Sequence, residues 1–484
     1  MSTNLTDFAA LAGDFRDAWA NSMIEPFKSI TPMLEAAPFR EGQLQGGYFN
    51  WPMRATIESG TTFAAPRSQP GESGTTYVGS RSTQTPAWQI EAPQIHTRSR
   101  VAYEALARSM SDVSSAEPDR KKAVKGATEV VVKGLLEGTV KKCEALMLHG
   151  RRSLGFFQGI SNVVAASAVA GNENANGFDG NPAGFVVDVQ ITDATWAEAI
   201  FVQCEGGTFD LWSVVGGVPT AKLNTTTNTV LTSGANQTGA ILLAINPPTP
   251  NTGLSASAVN VLRLFHSSGT AGGTGVGIFG GAVWATLNTG CIFFESGGNN
   301  TSEYVSLTAM AQNSGTIFGV SSVPYSVAKG NSQASVGNLK LADLIRYLAR
   351  PINKGAMGKR IRAIVPTELF AQFANDEATL RRYAAATGDA KNGFDNIEMY
   401  LPHKSILEIV GHNLQKQGEV LCYPTDEVIR IGAQDFDIIQ RGRGVNGLIL
   451  EVAQSPASEM RGYGQFAPLC ESPSHMLSLT GVTF

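Results

Sequence analysis

The sequence predicts an α+β chain built from an extended polar hairpin, one long helix, an inserted β-rich domain and a terminal α+β region. Three observations lead to that class. Residues 115–149 carry one uninterrupted helical apolar stripe, Val124, Ala127, Val131, Leu135, Leu136, Val140, Cys143, Leu146 and Met147, closed by Gly150. Ahead of it the phrase ESGTTF (58–63) recurs as ESGTTY (72–77), with only AAPRSQPG between the copies. Behind it residues 160–338 hold just three basic residues, Lys222, Arg263 and Lys329, among short β-prone runs rich in Gly, Asn, Thr and Ser.

Taken in order, Phe8, Leu11, Phe15 and Trp19 recur three or four apart and predict an amphipathic helix over 7–22 with one apolar face suited to docking on a neighbour. From Gly46 to Ile95 the β-prone runs GGYFNWPMRATI and QTPAWQIEAPQI flank the repeated phrase. An offset of fourteen residues is too short for a solenoid or propeller unit, so the repeat reads as parts of two opposed legs. Pro66, Pro70 and Gly71 then shape the far end. The bland reading is a surface loop carrying a chance repeat.

The long helix starts at a Ser114 or Ser115 cap with Pro118 in its first turn. About thirty residues at 1.5 Å each give roughly 45 Å. Gly126, Gly134 and Gly138 lie inside it, and each costs ~1 kcal/mol relative to Ala, which marks either a close backbone approach or a place to bend. In the β-rich stretch FVVDVQI, FDLWSVV, AILLAI, VNVLRLF and CIFFE predict strands of a sandwich or small barrel. After Asn338, LKLADLIRYLAR predicts a helix with Leu341, Leu344, Ile345 and Leu348 on one face, IRAIVP a strand and PTELFAQFAND a helix started by proline. The strand runs EMYLP, ILEIVGH, EVLCYP, EVIRIG, DFDIIQRG, LILEVAQ and HMLSLTGVTF follow.

Composition narrows the function classes. A formal net charge of −4 in 484 residues argues against a dedicated nucleic-acid binder, which needs clustered Lys and Arg to displace counterions. Five single cysteines, Cys143, Cys204, Cys291, Cys422 and Cys470, include no C-x-x-C pair and read as core thiols in a reducing compartment. No stretch approaches the ~18 apolar residues of a membrane span, and MSTNLTDFAALAGDFRDAW lacks the basic start of a secretion signal, so a soluble chain made in a cytoplasm is expected.

A search for chemistry finds no G-x-S-x-G elbow, H-E-x-x-H helix or phosphate loop. The histidines His96, His149, His266, His403, His412 and His475 stand far apart, none at metal-ligand spacing, and the carboxylates form no recognisable acid/base pair. GVGIFG fits a dinucleotide fingerprint at Gly275, Gly277 and Gly280, with Glu295 at the distance of a ribose ligand. A phosphate-binding turn must follow directly on a strand, whereas HSSGTAGGT separates this motif from VNVLRLF. No catalytic residue, cofactor or metal is assigned.

The order of elements, with EALMLHGRRSLGFFQGI after the long helix, TWAEAIFVQCEGG in the insertion, NSGTIFGVSSVPYSVAKG at its exit and IRAIVPTELFAQFA beyond, resembles the major capsid protein of tailed double-stranded DNA bacteriophages, the Hong Kong 97-like fold. The resemblance covers nearly the whole chain. It implies an N-terminal arm over 1–44, an extended E-loop hairpin over 45–100, a spine helix and the start of a peripheral domain over 101–160, and the inserted β-rich domain with its linkers over 161–338. It further implies an axial domain over 339–440 and a return to the peripheral domain over 441–484.

The implied function is a chemically inert shell of hexamers and pentamers in a virion, assembled in a bacterial cytoplasm around DNA that it touches loosely. Implied partners are further copies of the chain, a separate scaffolding protein, a portal and a decoration protein, with no membrane. In the family's founding member a lysine of this hairpin forms an isopeptide bond to a neighbour's asparagine. Here no lysine lies between Lys28 and Lys121. The hairpin carries Arg54, Arg67 and Arg81, which stay protonated and suit ion pairs with a neighbouring subunit, while Phe63, Tyr77 and Trp88 supply apolar contact. Two other classes stay open. One is an extracellular β-rich binding or adhesion protein, which lacks the secretion signal it needs; the other is a dinucleotide-dependent oxidoreductase, which rests on GVGIFG alone.

Overall fold

The hairpin and the end of the chain meet in one sheet. The computed structural model describes residues 32–42, 44–45, 47–56, 82–102, 134, 136–161, 164–165, 185–202, 204, 207–215, 218–222, 240–248, 250, 253–255, 257–266, 290–294, 303–381, 397–438, 450–451 and 457–484. Strand Gln94–Ala102 pairs antiparallel with Ala457–Cys470, from Gln94 opposite Gln465 to Ala102 opposite Ala457. Val428–Ile438 lies on the other flank of Ala457–Cys470, and Phe39–Glu41 runs parallel beside Val428–Ile438. No run in the sequence announces Ala457–Cys470, because Gly462, Gly464 and Pro468 lower its β propensity. Partners on both flanks supply the hydrogen bonds that propensity does not. The closest point of that pairing is Gly432, where a Cβ would sit 1.9 Å from the Gln465 carbonyl oxygen, so only glycine fits.

Leu44–Gln45, Tyr48–Pro52 and Ala87–Ile90 form a three-stranded antiparallel sheet at the base of the hairpin. Trp51 stands opposite Trp88, and Phe49 opposite Ile90. Alternation along Ala87–Ile90 turns Trp88 and Ile90 inward and leaves Ala87 and Gln89 exposed. Backbone bonds from Met53 N to Pro86 O (2.9 Å) and from Ala55 N to Gln84 O (3.0 Å) carry the two legs further out. The repeated phrases at 58–63 and 72–77, and the expected helix over 7–22, lie outside the described residues.

Residues 136–149 are helical and bury Ala145, Met147 and Leu148. The remainder of the expected long helix, apart from Gly134, lies outside the described residues. An added Cβ at Gly134 or Gly138 would meet nothing within 4 Å, which corrects the expectation that these glycines mark a close approach. Crowding occurs instead at Gly150, where a Cβ would lie 2.5 Å from Leu146 O and 2.6 Å from Tyr304 O.

The expected β runs become Phe185–Ile191, Thr208–Val215, Ala240–Ile245, Val261–His266 and Gly290–Phe294. From Thr208–Val215 the hydrogen-bonded order passes through Ala240–Ile245, Val261–His266, Phe185–Ile191 and Gly155–Ile160 to Gly290–Phe294. That last strand pairs back onto Thr208–Val215, so the antiparallel ladder closes on itself. Asp188 and Arg263 face each other across two of these strands in a buried bidentate pair, both bonds 2.8 Å. One face of the ladder, with Val187, Val189, Ile191, Phe209, Leu242 and Phe294, belongs to the same hydrophobic core as Met147, Leu148 and Trp88.

The described boundaries differ from the span 161–338. The ladder starts at Gly155 and its last strand ends at Phe294. Residues 303–338 then rejoin the terminal fold: Asn331–Gln333 runs parallel to Leu477–Thr480, and Gly337–Asn338 parallel to Val482–Thr483. Gly, Ser, Thr and Asn are abundant on both sides of that border, so no shift in composition marks it.

The terminal sheet has the order Asn331–Gln333, Leu477–Thr480, Glu419–Pro424, Arg360–Val365, Ile406–Gly411, Ile397–Tyr400. Helices Leu341–Asn353 and Thr367–Arg381 bury Leu344, Leu348, Ile352, Leu369 and Phe373 against Ile361, Ala363 and Leu407. The chain trades strands across the expected border at 440. Val428–Ile438 lies in the hairpin sheet, and Leu477–Thr480 lies in the terminal one.

Candidate functional site

Of the residues expected to contact a neighbouring subunit, Arg54 and Trp88 fall among the described residues; Phe63, Arg67, Tyr77 and Arg81 lie outside them. Arg54 is exposed on the outgoing leg of the hairpin. Trp88 is 0% exposed and meets Phe318 edge to face, with ring centroids 6.1 Å apart. The next residue fixes the same contact through its backbone, Gln89 N donating to Phe318 O at 2.9 Å. Trp88 is thus corrected from a contact offered to a neighbour to a core residue of its own chain. An aromatic at the inward position of an alternating strand looks identical in sequence whether the core it enters is its own or a neighbour's.

Beneath this base lies a buried polar junction that sequence reasoning missed. The Glu144 carboxylate accepts hydrogen bonds from Met33 N (2.9 Å) and Leu34 N (2.8 Å), at the start of the short helix Pro32–Ala36. Its third partner is His412 Nε2 at 3.0 Å, while His412 Nδ1 accepts from Leu414 N at 3.0 Å. With Nδ1 occupied as an acceptor, Nε2 carries the proton and donates to Glu144. His149 lies five residues beyond Glu144 on the same helix and donates from Nε2 to Leu414 O at 2.9 Å.

Arg152 holds Glu419 through two bonds of 2.9 and 2.8 Å, and Lys416 Nζ donates to Ser153 O at 2.6 Å. Burial alone would raise the Glu419 carboxyl, but Arg152 and Lys416 hold it well below the usual carboxylate range. Burial lowers Lys416 to about 8 against the pull of Glu419. Burial and then the Lys416 charge lower His149 to about 3, so the imidazole is neutral. The end of the helix is in this way tied both to the segment entering at Met33 and to the loop His412–Glu419.

These groups are enclosed, with His149 0%, Lys416 1% and Glu419 6% exposed, so the junction presents no surface at which a substrate could react. Its chemistry is positional. Among the described residues no group of three or more His, Cys, Asp or Glu could hold a metal ion. The GVGIFG motif lies outside the described residues. All five cysteines are free, and burial pushes Cys291 and Cys422 up to about 12, which leaves their thiols unreactive. Among the described residues no helix is long and apolar enough to cross a membrane.

No family model matches the sequence, and no curated protein matches it. Solved structures similar to the chain over nearly its whole length include phage capsids. The cyanophage A-1(L) capsid asymmetric unit is 10% identical, with a TM-score of 0.45 and 97% of each chain covered. Microbacterium phage Oxtober96 is 11% identical, with a TM-score of 0.39 and 99% of each chain covered. The capsid of a native GTA particle is 6% identical, with a TM-score of 0.37, covering 96% of this chain and 94% of that one.

Proposed function

We propose that the chain is a structural major capsid protein whose copies form hexamers and pentamers of a phage head around double-stranded DNA. The observation that carries the reading is the path of the hairpin. Its two legs leave a base fixed by Trp88 and Gln89 against Phe318, and the leg that returns through Gln94–Ala102 joins the sheet of the chain's own C-terminal strands. Two legs that run outward from a base packed into the chain's own core suit a subunit that must grip its neighbours, each contact weak and the closed shell stable collectively.

In this reading residues 1–44 are the arm, 45–100 the E-loop and the helix ending at His149 the spine. The sheet of Gln94–Ala102 and Ala457–Cys470 is peripheral, and the six-stranded sheet is axial. The ladder 155–294 is the inserted domain. Arg54, Arg67 and Arg81 pair with carboxylates of the adjacent subunit, with Phe63 and Tyr77 adding apolar contact. The shell carries out no chemistry, and its E-loops form no lysine cross-links. A separate scaffolding protein sets its size, and a portal and a decoration protein complete it.

Electron microscopy of the overexpressed protein, with and without a scaffolding partner, tests the class. Shells, tubes or capsomers are expected. Dispersed monomers under every condition overturn the reading.

A further inference from the structure

A cavity of about 320 Å³ opens between the helix 136–149 and the β ladder. The helix contributes Gly138, Lys141, Lys142 and Ala145, spaced three or four apart so that all four share one face. Across the cavity stand Ile200, Phe209 and Phe294, each under 7% exposed. The floor is apolar, and both charges on its lining are positive.

Lys141 is 7% exposed, yet it makes no hydrogen bond or ion pair with any described residue. Its one electrostatic neighbour among them is the Cys204 thiol on the opposite wall. Burial accordingly lowers the amine to about 8, with no carboxylate among the described lining residues to offset the cost. Lys142 places its Nζ 5.0 Å from the centroid of the Phe294 ring, which holds a second ammonium beside the same opening. At Gly138 an added Cβ would meet nothing within 4 Å, so the rim there is open.

We propose that this cavity binds a small aliphatic carboxylate, its chain among Ala145, Ile200, Phe209 and Phe294 and its carboxylate on the ammonium groups of Lys141 and Lys142. Two ammonium groups would attract a phosphate as well, so it is the apolar floor of Ala145, Ile200, Phe209 and Phe294 that favours this class over a bare phosphate. An aliphatic tail also removes apolar wall from water, which a bare inorganic anion cannot do. The occupant bridges the helix and the ladder and stiffens the joint between them.

Calorimetric titration of octanoate, octanol and acetate into the purified, unassembled full-length protein tests the assignment. Octanoate is expected to saturate a single site per chain, with octanol and acetate each at least about tenfold weaker. Lys141→Met keeps the length of the side chain and removes its charge. It is expected to weaken octanoate about tenfold and to leave octanol unchanged. Gly138→Leu projects a side chain from the open rim of an exposed helical position. It is expected to abolish both titrations at an unchanged or higher melting temperature. Equal binding of octanoate and octanol, an unchanged octanoate affinity in Lys141→Met, or no saturable heat with octanoate overturns the proposal.

Discussion

Glu144 Oε1 and His412 Nε2 meet at 3.0 Å across 268 residues of chain, with side chains 0% and 1% exposed. The same carboxylate takes the N–H groups of Met33 and Leu34, so one side chain ties the entering segment, the end of the long helix and the loop behind the terminal sheet. Glu144→Gln is nearly isosteric, but its NH2 group takes the place of one carboxylate oxygen and faces either Leu34 N or the pair Met33 N and His412 Nε2 with a donor. Leaving buried donors unsatisfied costs about 1–3 kcal/mol each. Chemical denaturation of unassembled protein is expected to show a loss of at least about 1 kcal/mol. A change within about 0.5 kcal/mol, the range of ordinary surface substitutions, removes the junction from the account of what fixes that segment.

Acid sensitivity should enter through His149. Its folded value of about 3 lies below the usual value near 6.5, so the unfolded chain binds a proton over that interval that the folded chain refuses. The contribution of His149 is therefore complete above about pH 6.5 and falls as pH drops toward 3, in total on the order of 5 kcal/mol. Glu419, held low, adds its loss only below the usual carboxylate value near 4.5. The window from about 6.5 to 4.5 thus separates the histidine from Glu419. His149→Gln preserves a donor toward Leu414 O and cannot titrate; its melting temperature is expected to vary less with pH across that window than the wild type's. Parallel profiles count against His149 as the source.

Trp88 and Arg54 should separate folding from assembly. Trp88→Ala empties a fully buried site and is expected to cost about 3–5 kcal/mol in the unassembled subunit. Arg54→Ala changes an exposed leg of the hairpin, so subunit stability should shift by less than about 0.5 kcal/mol while assembly yield falls. Assembly is read by sedimentation. Equal yields for Arg54→Ala and wild type remove this arginine from the proposed contacts.

Two glycines make opposite demands. Gly432→Ala places its Cβ 1.9 Å from Gln465 O on a neighbouring backbone, and soluble expression is expected to be lost. Gly138→Ala meets nothing within 4 Å in a helix and is expected to stabilise by ~1 kcal/mol. Soluble yield checks the first and the denaturation midpoint the second.

Denaturing electrophoresis of mature particles tests the covalent expectation. With no lysine between Lys28 and Lys121, a single band near the chain mass of 51.2 kDa is expected after boiling and reduction. A ladder of oligomers contradicts it.

Local signals in the sequence were enough for elements whose periodicity and punctuation agree. Leu341, Leu344 and Leu348 predict the helix Leu341–Asn353, and Phe185–Ile191, Ala240–Ile245 and Arg360–Val365 follow from short apolar runs bounded by turn residues. The composition of 160–338 also predicts a β-rich unit, though not its borders. Tertiary structure decided what depends on distant partners. Ala457–Cys470 is a strand because Val428–Ile438 and Gln94–Ala102 flank it, despite its glycines and proline. Trp88 belongs to its own chain's core because Phe318 closes over it, and Glu144 is a junction because His412 and the Met33 amide arrive from opposite ends of the chain. Periodicity records which face of an element is apolar. It holds no record of what that face or a buried charge will meet, because that contact is made only when segments hundreds of residues apart pack together.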